Sequence, residues 1–209
     1  MTSIPAKIAL PLIIAVGAIS SAVAEPVAFD FKDPKGVNNV VFQLDAPLEA
    51  INGTANGISG TIVVDLEDPT KTSGKIIVAT NSLTVPNSLM REHLVGEKWL
   101  NVEAHPEISF EVKSVSEIEK KESTGQARVT GIFSLHGVSK EITVDAKVTY
   151  LPGKLGERTG GKMEGDLLVI RSKFTINRSD YNIQPGENTD KVAEEISLSL
   201  SIAGAAPKK

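Results

Sequence analysis

Ile196-Ser197-Leu198-Ser199-Leu200-Ser201-Ile202 alternates apolar and hydroxyl side chains without a break. Period two is the repeat of a β-strand, whose successive side chains point to opposite faces. This segment therefore has one apolar face and one wet face, as a strand in an antiparallel sheet does.

The same pattern recurs upstream. Ile58, Gly60, Ile62, Val64 and Leu66 form one apolar row, and Ile108, Phe110 and Val112 another. Val129-Gly131-Phe133-Leu135, Ile142-Val144-Ala146-Val148-Tyr150 and Leu168-Ile170-Ser172-Phe174-Ile176 continue it. Asp68-Pro69, Ser73-Gly74, Thr124-Gly125, Pro152-Gly153 and Gly160-Gly161 fall between runs and read as turns. Asn52-Gly53 has the composition of a tight hairpin, and Pro152 to Gly161 reads as an exposed loop. About eight such strands predict an all-β domain, a sandwich or a closed barrel.

One segment departs from period two. In Ser88–Leu100, Met90 and Leu94 are four apart and share a helical face. Asn87 or Ser88 is placed to cap it and Gly96 to weaken or end it. The expectation is one short helical insertion between strands. Ala203 to Lys209 is small, Pro-containing and charged, so residues 204–209 are expected to fray.

The N-terminus reads as an export signal. Lys7 precedes an apolar run, Ile8 to Ile19, and then Ala22-Val23-Ala24. A weakly positive start, an apolar middle and a small-x-small site predict cleavage after Ala24. The run is well short of the roughly 20 residues a spanning helix needs, and no later segment is apolar enough to cross a bilayer. Residues 1–24 are thus expected to be a signal peptide and 25–203 the folded domain, periplasmic or secreted.

A formal net charge of −4, evenly mixed, argues against nucleic acid as a partner. The chain has no Cys, which excludes thiol chemistry and Cys metal sites. His93 and Glu97 share a helical face, but with His105 they stop short of the ligands a metal requires. Gly-x-Ser-x-Gly, His-Glu-x-x-His and phosphate-loop motifs are absent. Neither enzymatic activity nor a cofactor is expected.

Three stretches, in order, resemble the YceI-like family of exported lipid-binding barrels. They are Arg91-Glu92-His93-Leu94 with Lys98-Trp99-Leu100-Asn101 and His105-Pro106-Glu107-Ile108-Ser109-Phe110, then Gly131 to Lys140, then Phe174 to Ile183. The resemblance implies an eight-stranded, lipocalin-like antiparallel barrel holding an isoprenoid or other long-chain lipid. A barrel of that size encloses either packed side chains or one slender ligand. An apolar tail would bind by the area it buries, about 0.8 kcal/mol per CH₂.

Phe42, Leu94, Trp99, Phe110, Phe133 and Phe174 are the candidate apolar lining. Arg91 and His93 are head-group candidates. Arg178 and Asp180, at a strand exit, are read as structural, satisfying backbone carbonyls and turn N–H groups. His136-Gly137 reads as an exposed hairpin turn. The alternative is a structural or protein-interaction barrel packed by its own side chains. Either reading is compatible with a homodimer.

Overall fold

The computed structural model describes residues 25–208. The expected signal segment, 1–24, lies outside the described residues. In chain order the elements are β1 (Val27–Asp30), β2 (Asn39–Asp45), β3 (Ala50–Ala55), β4 (Ile58–Val64), β5 (Ser73–Ala79) and β6 (Leu83–Thr84). Then come α1 (Ser88–Val95), β7 (Glu107–Lys121), β8 (Thr124–Leu135), β9 (Val138–Leu151), α2 (Leu155–Thr159), β10 (Gly165–Asn177) and β11 (Glu195–Pro207).

The sheet closes. The ring runs β1-β4-β5-β7-β8-β9-β10-β11 and returns to β1, with Asp30 opposite Ala205. β2, β3 and β6 extend three of these eight strands beyond a bend: β2 pairs with β11 and β3, and β6 pairs with β3. All pairings are antiparallel. Eleven segments thus make an eight-stranded barrel, and closure leaves free edges only where a strand outruns its neighbour.

The bend between β1 and β2 is held by one buried amide. Asn38 is 2% exposed. Its Nδ2 donates to the Phe31 and Ala203 carbonyls, and its Oδ1 accepts from Ala203 N and Arg158 Nη2. Asp33 accepts from the Val37 and Asn38 N–H groups and pairs with Arg158. The backbone groups of Phe31, Val37, Asn38 and Ala203 at the bend are answered in this way, as burial requires.

The helix at Ser88 has the expected cap, with Asn87 Oδ1 accepting from Met90 N, and it ends at Gly96. Three expectations are corrected. Asn52-Gly53 is not a turn but mid-strand in β3, with Gly53 opposite Phe42. The turn falls at Asp45–Ala50, closed by Ala46 N on Glu49 O. The loop from Pro152 to Gly161 contains α2, anchored by Leu155 at 2% exposure. Lastly, 204–207 do not fray but complete β11, from Gly204 opposite Leu168 to Pro207 opposite Gly165. Gly204 lets the Phe31 ring lie where a Cβ would sit, so close packing secures the tail.

The buried core divides in two. One cluster, with Phe42, Leu83, Leu100, Phe133 and Tyr181, gathers at the end that carries α1. The other, with Phe29, Phe31, Ile62 and Leu168, gathers towards the end that carries the β7–β8 turn.

Candidate functional site

A cavity of about 1160 Å³ runs through the barrel. That exceeds the usual 300–1,000 Å³ of small-molecule sites. Its walls are the inward rows of the alternating strands, including Val112, Val144, Val148, Ile170, Leu198 and Leu200.

Two features keep the lumen open. Ala127 pairs with Ala146, and Ala146 with Ser172, so one cross-strand row carries three small side chains in succession. Ser172 Oγ is satisfied by the Asp145 carbonyl, 2.6 Å away, and makes no polar demand on the lumen. In addition, two rings lie against the wall rather than across it. A Cβ built at Gly53 would fall 2.1 Å from the Phe42 ring, and one at Gly131 would fall 2.6 Å from the Phe110 ring. Each glycine leaves room for its neighbour's ring to lie flat.

Phe42, Leu94, Trp99, Phe110, Phe133 and Phe174 all line the cavity. Phe133 makes edge contacts to Phe174 and Tyr181, at 6.0 and 5.5 Å between ring centroids. His93 stands exposed on the rim at the α1 end. Arg91 does not join it. Two residues apart on a helix point in different directions, and Arg91 Nη2 donates to the Asn81 carbonyl, 2.8 Å away, outside the lining. The sequence reading missed Asn188 and Lys191, which line the same rim. Nothing in the local pattern of that loop distinguishes them. The small row left a visible signal, because Ala146 and Ser172 sit in otherwise bulky inward registers.

Arg178 organises the rim. It is 1% exposed, and its guanidinium donates to the carbonyls of Ala193, Ile183, Gln184, Glu187 and Val192. Glu194 supplies the counter-charge at 3.0 Å, and the Trp99 ring centroid lies 5.9 Å from Arg178 Cζ. One cation therefore closes the whole loop from Ile183 to Glu194, leaving no donor for a ligand. Asp180 does not bond turn N–H groups as expected; it pairs with Lys140 on β9. Glu194 takes that role, accepting from the N–H group of Gly186.

His136 is half-buried rather than exposed. Its Nδ1 lies 3.0 Å from the Tyr181 carbonyl oxygen, and its ring meets His105 edge-on at 4.7 Å. Among the described residues no three His, Asp or Glu side chains converge as metal ligands, and no helix is long and apolar enough to cross a membrane.

Three carboxyls tie the barrel together and are held below their ordinary range. Burial pushes Asp33 up, but the N–H groups of Asn38, Lys35 and Val37, with Arg158, outweigh it. Asp166 is lowered by the Tyr150 hydroxyl and the Gly153 N–H; in return, burial and Asp166 push Tyr150 up to about 12. Burial also opposes ionisation of Glu194, but Ser179, Gly186 and Arg178 lower it overall. Each folded value lies below the unfolded one. The stability these groups contribute is complete above the ordinary carboxylate range near pH 4 and is lost as pH falls through the folded values. Urea midpoints are expected to hold steady from pH 7 to 5 and to drop between pH 4 and 2. An unchanged midpoint at pH 2.5 would contradict this account.

Fold and cavity together define a class: a closed antiparallel barrel, lipocalin-like in plan, built around an apolar lumen. The chain belongs to the YceI-like family, whose domain model matches residues 33–203. A UPF0312 protein of Yersinia pestis is 26% identical over 198 residues, covering 93% of this chain and 96% of its own. Among solved structures, Burkholderia cenocepacia BcnA superposes with a TM-score of 0.65 at 16% identity, over 79% of this chain and 95% of its own. A polyisoprenoid binding domain from Saccharophagus degradans gives 0.61 at 9% identity, over 88% of this chain and all of its own.

Proposed function

We propose that this protein binds and carries an amphipathic lipid, a long isoprenoid or similar chain, with its apolar part in the barrel lumen. The observation that carries the reading is the 1160 Å³ apolar cavity. A barrel packed by its own side chains would have joined its two core clusters and left no such space. The polyisoprenoid-binding protein of the same fold supports the ligand class. The apolar run and small-x-small site before Glu25 support a periplasmic or secreted location, where an apolar chain needs shielding from water. Phe42, Leu94, Trp99, Phe110, Phe133 and Phe174 are the proposed tail contacts, and His93 contacts the head group at the rim.

The role proposed is binding, which the apolar walls of the lumen support. Protein purified from its own host and examined by native mass spectrometry is expected to carry a co-purifying lipid that solvent extraction releases. A protein that arrives lipid-free and takes up no isoprenoid alcohol after delipidation would overturn the proposal.

A further inference from the structure

The lumen opens in two places. At the α1 end its lining includes the exposed side chains of Leu89, His93 and Lys191. At the other end it includes exposed Lys120 and Gln126, so it reaches solvent there too.

The second opening has a cause in the pairing. The β5–β7 ladder ends where Gly74 meets Val112, because β5 begins at Ser73. β7 runs on to Lys121 with β8 on one side and no strand on the other. A 3-10 turn, Pro69–Lys71, packs there instead, and Lys120 Nζ reaches the Leu66 carbonyl at 3.4 Å. Register shifts at Val112/Ser114 and Ser116/Glu119 re-aim β7, as bulges do, and Val115, Ile118 and Lys120 all face the lumen. On the opposite side Phe29 and Phe31, both fully buried, fill the same end of the barrel.

We propose that this gap is a lateral portal through which a bound chain leaves the barrel, so that the site accepts lipids longer than the lumen. The inference rests on the lipid-binding reading and adds to it a length class. Thirteen residues of β10, at about 3.3 Å of rise and roughly 40° of tilt, span about 30 Å of barrel axis. A chain longer than that, entering past Trp99, passes Val112 and emerges between Pro69 and Ile118. Lys120 and Gln126 flank the exit and tolerate solvent.

The test titrates delipidated protein with geranylgeraniol, shorter than the barrel, and undecaprenol, longer than it, reading the fluorescence of Trp99, the only tryptophan. The wild type is expected to bind undecaprenol at least as tightly as geranylgeraniol. Ile118→Phe, which adds bulk without a second indole, is expected to weaken undecaprenol at least tenfold relative to geranylgeraniol. Because the chain lacks Cys, Ser123→Cys carries a single bimane label, and its emission should shift blue with undecaprenol and not with geranylgeraniol. This readout stands even if Ile118→Phe fails to fold. Undecaprenol binding tenfold weaker than geranylgeraniol in the wild type, or a silent label with undecaprenol bound, overturns the portal and leaves the lipid reading intact. If neither alcohol binds, both fall together.

Discussion

Arg178→Ala is expected to lose about 3–5 kcal/mol of folding stability, on the order of leaving several buried acceptors without donors at 1–3 kcal/mol each. The substitution strips hydrogen bonds from five carbonyls and leaves Glu194 without its counter-charge. It also removes the cation beside Trp99. Because the carbonyls belong to the loop that frames the α1 end, the loss should concentrate there. Hydrogen exchange is expected to show the loop from Ile183 to Glu194 opening first. Arg178→Lys keeps the charge but offers three donors in place of five, so it should recover only part of the loss. Urea denaturation of both variants measures the difference. A change below about 1 kcal/mol, the ordinary scale of surface pairs, would show that the carbonyl cluster is satisfied without the arginine.

Ala146→Phe is expected to weaken lipid binding by about thirtyfold while leaving the fold in place. Ala146 is the centre of the small row and faces the lumen. A phenyl ring there occupies space the ligand would take and displaces the equivalent of two to three methylenes, on the order of 2 kcal/mol. Overpacking usually destabilises a core, but here the added ring enters existing space, so urea stability should hold or rise. Titration with an isoprenoid alcohol, followed by Trp99 fluorescence, gives the affinity. Wild-type affinity in a folded Ala146→Phe would place the ligand elsewhere in the lumen. A sharp loss of stability would show that no space exists at this row.

The two variants separate the site into a frame and a volume. Arg178 acts on the rim, where its donors go to loop carbonyls, and its effect is read as stability. Ala146 acts on the lumen, and its effect is read as affinity. The difference was partly visible in the chain. Phe174-Thr175-Ile176-Asn177-Arg178 shows an arginine where an apolar strand ends, and such a residue has backbone groups to answer. Nothing local shows that Glu194, sixteen positions later, is its counter-ion. Asp180, expected to answer turn N–H groups, is turned by the fold towards Lys140 instead.

What the sequence by itself determined is local and periodic. Ile196 to Ile202 and the runs before it decide which side chains share a face, because the two-residue repeat of a strand needs no distant partner. Asn87 and Gly96 bound the one helix the pattern announced, since caps act within a turn. The tertiary structure alone decided that the sheet closes through Asp30 and Ala205, that 204–207 are held, and that the side chains leave a cavity between them. The small row joins Ala127, Ala146 and Ser172 from three strands, and the rings of Phe42 and Phe110 lie flat only because Gly53 and Gly131 stand beside them. Whether a barrel is packed or hollow is a sum of side-chain volumes around a closed ring, and that sum exists only once the register has brought its members to the same level.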